Sequence, residues 1–160
     1  MTSEVRDLGV IMSSSGTFEN QVNQCSTKGS QMAGQILRTF RTRESGPMLL
    51  LYKALVLPFL EYCCQLWSPK KLNQIRKLES VQRHFTRRIA GTDGMSYSER
   101  LKYLKMYSLE RRRDRYVVIY VWKIIQGLVP NLLGRDKIKY VSTNPRIGRY
   151  SLLPFAQAEP

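Results

Sequence analysis

Aspartate is scarce in this 160-residue chain: Asp7, Asp93, Asp114 and Asp136 are the full set, scattered, with no adjacent pair. Two-metal nucleotidyl transfer needs carboxylates gathered around two divalent ions about 4 Å apart, so no polymerase or nuclease site is evident and a complete enzyme is not expected. Histidine occurs once, at His84, and the cysteines are Cys25, Cys63 and Cys64. Neither C-x-x-C nor H-x-x-x-H spacing occurs, so Cys63, Cys64 and His84 read as core thiols and a surface imidazole rather than zinc ligands. A Cys–His catalytic pair fails as well, because His84 sits among cations with no orienting acid near it in sequence. Glycines fall at no phosphate-loop spacing. No metal or cofactor site is expected.

An odd cysteine count with two neighbours that cannot bridge without strain points to free thiols in a reducing compartment. The segment Met1 to Asp7 has no apolar core of a secretory signal, so the sequence reads as intracellular, cytoplasmic or nuclear, and not secreted. The most apolar stretch, Met48 to Trp67, is broken by Lys53, Pro58 and Glu61. A spanning helix tolerates few such interruptions, so no membrane partner is expected.

What is abundant is positive charge. Twenty-six Lys and Arg against 12 Asp and Glu give a formal charge of +14 and a pI near 10.1. Solubility alone needs a net charge of roughly 2–8 in a small domain, and the excess points to a polyanionic partner, nucleic acid first.

Along the chain, Leu8 to Met12 is short and apolar and is stopped by Ser13-Ser14-Ser15-Gly16, which reads as one strand with no convincing partner before the tail. From Thr17, a candidate cap, Val22, Cys25, Gly29, Met32, Ile36 and Phe40 recur at steps of three and four, predicting a first helix. Ser45-Gly46-Pro47 opens a second, apolar helix from Met48 to about Tyr62 with a kink near Pro58. Leu72, Ile75, Leu78, Val81, Phe85 and Ile89 mark a third that ends at Gly91. Ser96-Tyr97-Ser98-Glu99 fits a capping box for a short fourth helix to about Leu104. Ser108 caps a fifth, which Gly127 and Pro130 end. Lys137 to Val141 is a weak strand candidate, and Pro145 to Leu153 reads as extended. The expectation is a mainly α fold: a bundle of about five helices over residues 13–129, one short N-terminal strand within 1–12, and an irregular basic tail over 130–160.

The candidate binding residues are cations on two of these helices. The third carries Lys70, Lys71, Arg76, Lys77, Arg83, Arg87 and Arg88 off its apolar stripe, with Glu79 as its only acid. The fifth opens with Arg111, Arg112, Arg113 and Arg115. Arginines there oppose the helix dipole, a cost that an anionic partner, or Glu110 and Asp114, could offset. Phe85, Tyr97, Tyr103, Tyr107 and Tyr116 lie nearby. Cations contact phosphates and tyrosines stack on bases or sugars, a combination that suits backbone tracking. The bland alternative is a solvated helix face with Phe85 in the core. Nothing resembles a base-reading recognition helix.

Several ordered motifs carry a family resemblance: Asp7-Leu8-Gly9-Val10-Ile11, helix one with Lys28 to Arg41, the run Met48 to Cys63, Gln65-Leu66-Trp67-Ser68-Pro69, and Leu78-Glu79-Ser80-Val81-Gln82-Arg83-His84-Phe85-Thr86-Arg87. Together with Ser96 to Leu101, Ser108 to Arg113 and the tail Pro145 to Arg149, they cover roughly residues 5 to 153. This pattern resembles the region just after the catalytic palm in reverse transcriptases of non-LTR retrotransposons (LINEs), chicken-repeat and jockey-like elements above all. The resemblance implies that residues 1–12 leave a palm-like region, that residues 13–129 are a thumb or connection gripping template-primer nucleic acid, and that the partner is RNA or RNA–DNA duplex without sequence specificity. The paired aspartates and the Mg2+ of that RNA-directed DNA polymerase family have no counterpart here. The resemblance therefore implies a fragment or remnant of a retroelement polymerase, inactive alone. The alternatives are a helical protein-interaction module, self-associating through apolar surface that the palm would cover, or a nonfunctional gene-model remnant.

Overall fold

The structure, a computed structural model, describes residues 4–129 together with 140–141 and 149–150. The chain divides into two compact units, Met1–Val117 and Val118–Pro160. The first begins with a hairpin in which β1 (Glu4–Asp7) pairs antiparallel with β2 (Val10–Ser13), Asp7 opposite Val10. Leu8 and Gly9 both have positive φ, 44° and 86°. Positive φ at both central residues makes the two-residue turn whose twist matches antiparallel strands. The strand expected at Leu8 to Met12 therefore starts two residues late, and it has a partner. All of β1 is exposed, so it shows no apolar alternation by which to recognise it. Only Val10 is buried in the hairpin; the Gln21 side chain accepts from Ile11 N–H at 2.9 Å and ties β2 to the first helix.

That helix, α1 (Glu19–Thr39), buries Val22, Cys25, Gly29 and Ile36 of the expected stripe, with Ala33 buried in place of the expected Met32, which is only half-buried, while Phe40 stands outside it and is exposed. Thr17 is not its cap. Its hydroxyl bonds Ser15 instead, and Phe18 occupies the cap position without a side-chain bond. At the other end the Arg43 guanidinium donates to Leu37 O at 2.7 Å and to Phe40 O, satisfying carbonyls left open by the last turn.

The apolar second helix is one rod in three parts: α2 (Ser45–Leu51), a π-helical segment Tyr52–Val56, and α3 (Leu57–Glu61). The break falls just ahead of Pro58. Proline has no N–H to give the turn before it and its ring crowds that turn's carbonyl, and the wider π register absorbs the mismatch. A short α4 (Cys64–Trp67) follows Cys63, whose φ of 50° is left-handed, and then α5 (Leu72–Thr86). Helix α1 packs on α5 and on the π segment and α3, and at Gly29 a Cβ would stand 2.8 Å from Leu60 Cδ2, so glycine sets that close approach. Trp67, Tyr52, Phe85, Met48, Leu60, Leu78, Ile89 and Leu109 fill the core, with the Tyr52 and Phe85 rings 4.8 Å apart. The helix expected to reach Gly91 ends at Thr86; Thr92 Oγ1 donates to Thr86 O and Ile89 O at 3.0 and 2.8 Å, folding the chain back there while Ile89 stays buried.

All three cysteines are free thiols. Burial pushes Cys25 and Cys64 up to about 11, whereas Cys63 is exposed. Because the thiolate is the reactive form, a chromogenic disulfide reagent at pH 8 is expected to label one thiol per chain rapidly and all three after denaturation. Rapid labelling of two or more in the native protein would contradict this packing.

The capping box forms as expected at α6 (Tyr97–Tyr103): Ser96 Oγ accepts from Glu99 N–H and Glu99 Oε2 from Ser96 N–H, at 3.4 and 2.7 Å. Helix α7 (Leu109–Ile125) starts after Ser108, whose hydroxyl accepts from Arg111 N–H at 3.3 Å, and Gly127 at φ 73° follows its end. From Val118 on, α7 belongs to the second unit, which also holds β3 (Tyr140–Val141) paired antiparallel with β4 (Arg149–Tyr150). The remaining expectations for residues 130–160 lie outside the described residues. The fold is mainly α, and among the described residues no helix is long and apolar enough to cross a membrane.

Candidate nucleic-acid interface

Helix α5 sorts its residues by chemistry. Leu78, Val81 and Phe85 face the core, with Ile89 continuing the stripe beyond the helix. Beside it runs a second buried row of polar residues, Glu79, Gln82 and Thr86. The cations fall elsewhere: Arg76, Arg83 and Arg87 form one row at steps of seven and four, and Lys77, His84 and Arg88 the next, all exposed, with exposed Lys70 and Lys71 just before the helix. Two members are lightly held, Lys77 Nζ by Asn23 Oδ1 at 2.6 Å and Arg83 over the Tyr97 ring at 4.6 Å. The only carboxylate of α5 is turned inward, so its solvent face is of a single sign.

Glu79 has a structural role that sequence reasoning missed. Its Oε1 accepts from Leu109 N–H at 3.2 Å and from the Tyr97 hydroxyl, and its Oε2 from Glu110 N–H at 3.3 Å. A carboxylate on α5 thus caps α7, where open N–H groups and the dipole favour negative charge. Gln82, fully buried, continues the network: Nε2 donates to Tyr97 Oη and Tyr107 O at 3.1 and 3.0 Å, and Oε1 accepts from Tyr52 at 3.2 Å. Burial, and for Tyr97 the bond to Glu79 as well, push the Tyr52 and Tyr97 phenols up from their ordinary values. The available signal was spacing: positions 79, 82 and 86 repeat at three and four alongside the apolar stripe.

The four arginines at the start of α7 do not act as one cluster. Arg111 and Arg115 are exposed, and Arg111 lies over the Tyr107 ring at 4.9 Å. Arg112 makes a two-pronged ion pair with Glu61, joined by the Tyr116 hydroxyl at 3.2 Å from both, and that pairing raises its pKa. Arg113 is 1% exposed, its Nη1 has no hydrogen-bond partner among the described residues, and burial pulls its pKa down against the opposing charge of Glu79. Arg113 is therefore no phosphate contact. It faces inward because Leu109 and Arg113, one helical turn apart, share the buried face of α7. The dipole cost expected of these arginines is offset from within, by Glu79 and Glu61. Of the aromatic candidates, Phe85 is core, Tyr97 and Tyr116 are held by the carboxylates, and Tyr103 and Tyr107 are about half exposed.

The described carboxylates do not fit a two-metal polymerase site. Glu61 and Glu79 are committed to Arg112 and to Tyr97 with the α7 amides, and among the described residues no three His, Cys, Asp or Glu converge on a point that could hold a metal ion. Asp136 lies outside the described residues.

No family model matches the chain, and no solved structure matches it. An uncharacterized protein of Caenorhabditis elegans is 24% identical over 128 residues, which is 78% of this chain and 65% of that protein. The match therefore spans a little under two thirds of the relative's length.

Proposed function

We propose that this chain is a nucleic-acid-binding helical segment of a non-LTR retroelement reverse transcriptase, thumb and C-terminal region, gripping template-primer RNA or RNA–DNA duplex by its backbone. The observation that carries the reading is the one-signed face of α5: seven exposed Lys and Arg at its surface and approach, with the helix's own carboxylate withdrawn to cap α7. A cationic ridge of that kind binds phosphates by charge and counterion release, without reading bases. Supporting it are the overall charge of +14 and the ordered motifs that resemble the family. The chain performs no nucleotidyl transfer by itself in this reading, and its three free thiols suit a reducing intracellular compartment.

The test is fluorescence anisotropy of the purified chain with an RNA–DNA duplex across a salt series. Binding is expected to weaken by about a thousandfold or more between 50 and 200 mM salt, as for roughly seven phosphate contacts. Salt-insensitive binding, or none by a folded sample, overturns the reading. A second reading, a helical protein-interaction module, is favoured by Leu50, Leu55, Phe59 and Leu66, all exposed, at 70%, 40%, 37% and 57%, on the rod and on α4. Exposed apolar surface of this kind marks an association face. A concentration-independent monomer in light scattering would sink it.

A further inference from the structure

Between α6 and the start of α7 lies an open groove of about 580 Å³, a size within the range that takes a small organic ligand. Its lining includes Tyr97, Lys102, Lys105, Tyr107, Ser108 and Arg111, and no carboxylate. The groove is built on a fixed turn. Lys105 N–H donates to Lys102 O at 3.1 Å and Met106 N–H to Leu101 O at 2.8 Å, with Lys105 itself at a left-handed φ of 51°. The α7 amides are not free to serve an anion, since Glu79 takes those of Leu109 and Glu110 and Ser108 that of Arg111. Side-chain cations alone must therefore supply the charge, and they frame a half-exposed aromatic ring, Tyr107, that already stacks with Arg111.

We propose that this groove binds a single-stranded segment of nucleic acid, stacking a base on the Tyr107–Arg111 pair and holding the flanking phosphates with Lys102 and Lys105. Aromatic platforms inside cationic grooves bind single strands without regard to sequence, because every base has a π face. The groove adjoins the α5 ridge through Arg83, which lies over Tyr97, so a duplex on the ridge would run its unpaired overhang into the groove. The inference rests on the nucleic-acid reading above and adds a second mode to it.

The experiment compares the full chain's affinity for a blunt RNA–DNA duplex and for the same duplex with a six-nucleotide single-stranded overhang on either end, by anisotropy at fixed salt. One overhang is expected to tighten binding about tenfold, the gain that one stacked base provides. Tyr107→Ala is expected to erase that gain while leaving blunt-duplex affinity unchanged, and Tyr107→Phe to keep it. Arg111→Gln, which does not touch the core, is expected to reduce it, and serves if Tyr107→Ala fails to fold. Equal affinity for blunt and overhung duplexes overturns the groove while leaving the ridge standing, and so does a gain that survives both Tyr107→Ala and Arg111→Gln. Failure to bind any of these probes overturns both.

Discussion

Replacing Glu79 with Ala is expected to lower the unfolding free energy by about 3 kcal/mol or more, the largest single-residue effect outside the apolar core. The change strands three donors at once: Leu109 N–H, Glu110 N–H and the Tyr97 hydroxyl. Each buried donor left unpaired costs about 1–3 kcal/mol, and loss of a helix cap by itself about 1 kcal/mol. It also takes away the Glu79 charge that opposes the burial of Arg113, and an uncompensated buried cation adds to the loss. Glu79→Gln is the informative companion. Its amide oxygen can still accept from one backbone N–H, but its NH2 must replace an acceptor with a donor at the other, so about half the loss is expected. Thermal or urea unfolding followed by circular dichroism measures both, against a total stability on the order of 5–15 kcal/mol for a domain. If Glu79→Ala unfolds like the parent, the carboxylate does not hold α7, and its inward turn then needs another explanation.

That residue also shows where reading the sequence reaches its limit. Helices α1, α5, α6 and α7 are legible because each depends on local chemistry: a three-four apolar stripe, or a serine whose partner lies three residues on. The Ser96–Glu99 box is such a case, and it forms in full. The hairpin is less legible, since β1 exposes every side chain and its turn depends on Leu8 accepting a conformation that glycine ordinarily supplies. The sorting of cations was not legible at all. Arg111, Arg112 and Arg113 are neighbours of one type, yet one is exposed, one is paired with Glu61 across fifty-one positions, and one is buried. Helical phase turns successive residues by 100°, but which phase faces the core is decided by α5 and the rod. Those contacts are long-range. For the same reason Glu79 reads in sequence as the lone acid of a basic helix, and in the structure as part of another helix's beginning.

Exchanging Arg76, Lys77, Arg83, Arg87 and Arg88 together for Gln is expected to flatten the salt dependence of duplex binding and to cost about 10²–10³ in affinity at low salt. Each phosphate neutralised contributes about 0.9 to the log–log slope, so losing five takes the slope from about −6 to about −2. Net charge alone would predict the same for any five cations, which sets the control. Arg6, Lys28, Arg38, Arg41 and Lys53 are also exposed, and none belongs to α5. Their exchange for Gln is expected to leave the slope near its original value. Stability separates the ridge from an ordinary solvated face. Arg83 and Arg87 hold like charges one turn apart, and such an i,i+4 repulsion costs about 0.2–0.5 kcal/mol. Glutamine keeps helix propensity, and relief of that repulsion is offset by loss of the Lys77–Asn23 bond, the Arg83–Tyr97 contact and the favourable charge at the end of α5, so the ridge variant should melt close to the parent. Affinity lost while stability holds would assign the ridge to its ligand rather than to the fold. If both quintuple variants lose affinity equally, bulk charge governs binding; if the ridge variant binds like the parent, α5 presents only a solvated surface and the retroelement thumb reading loses the observation it stands on.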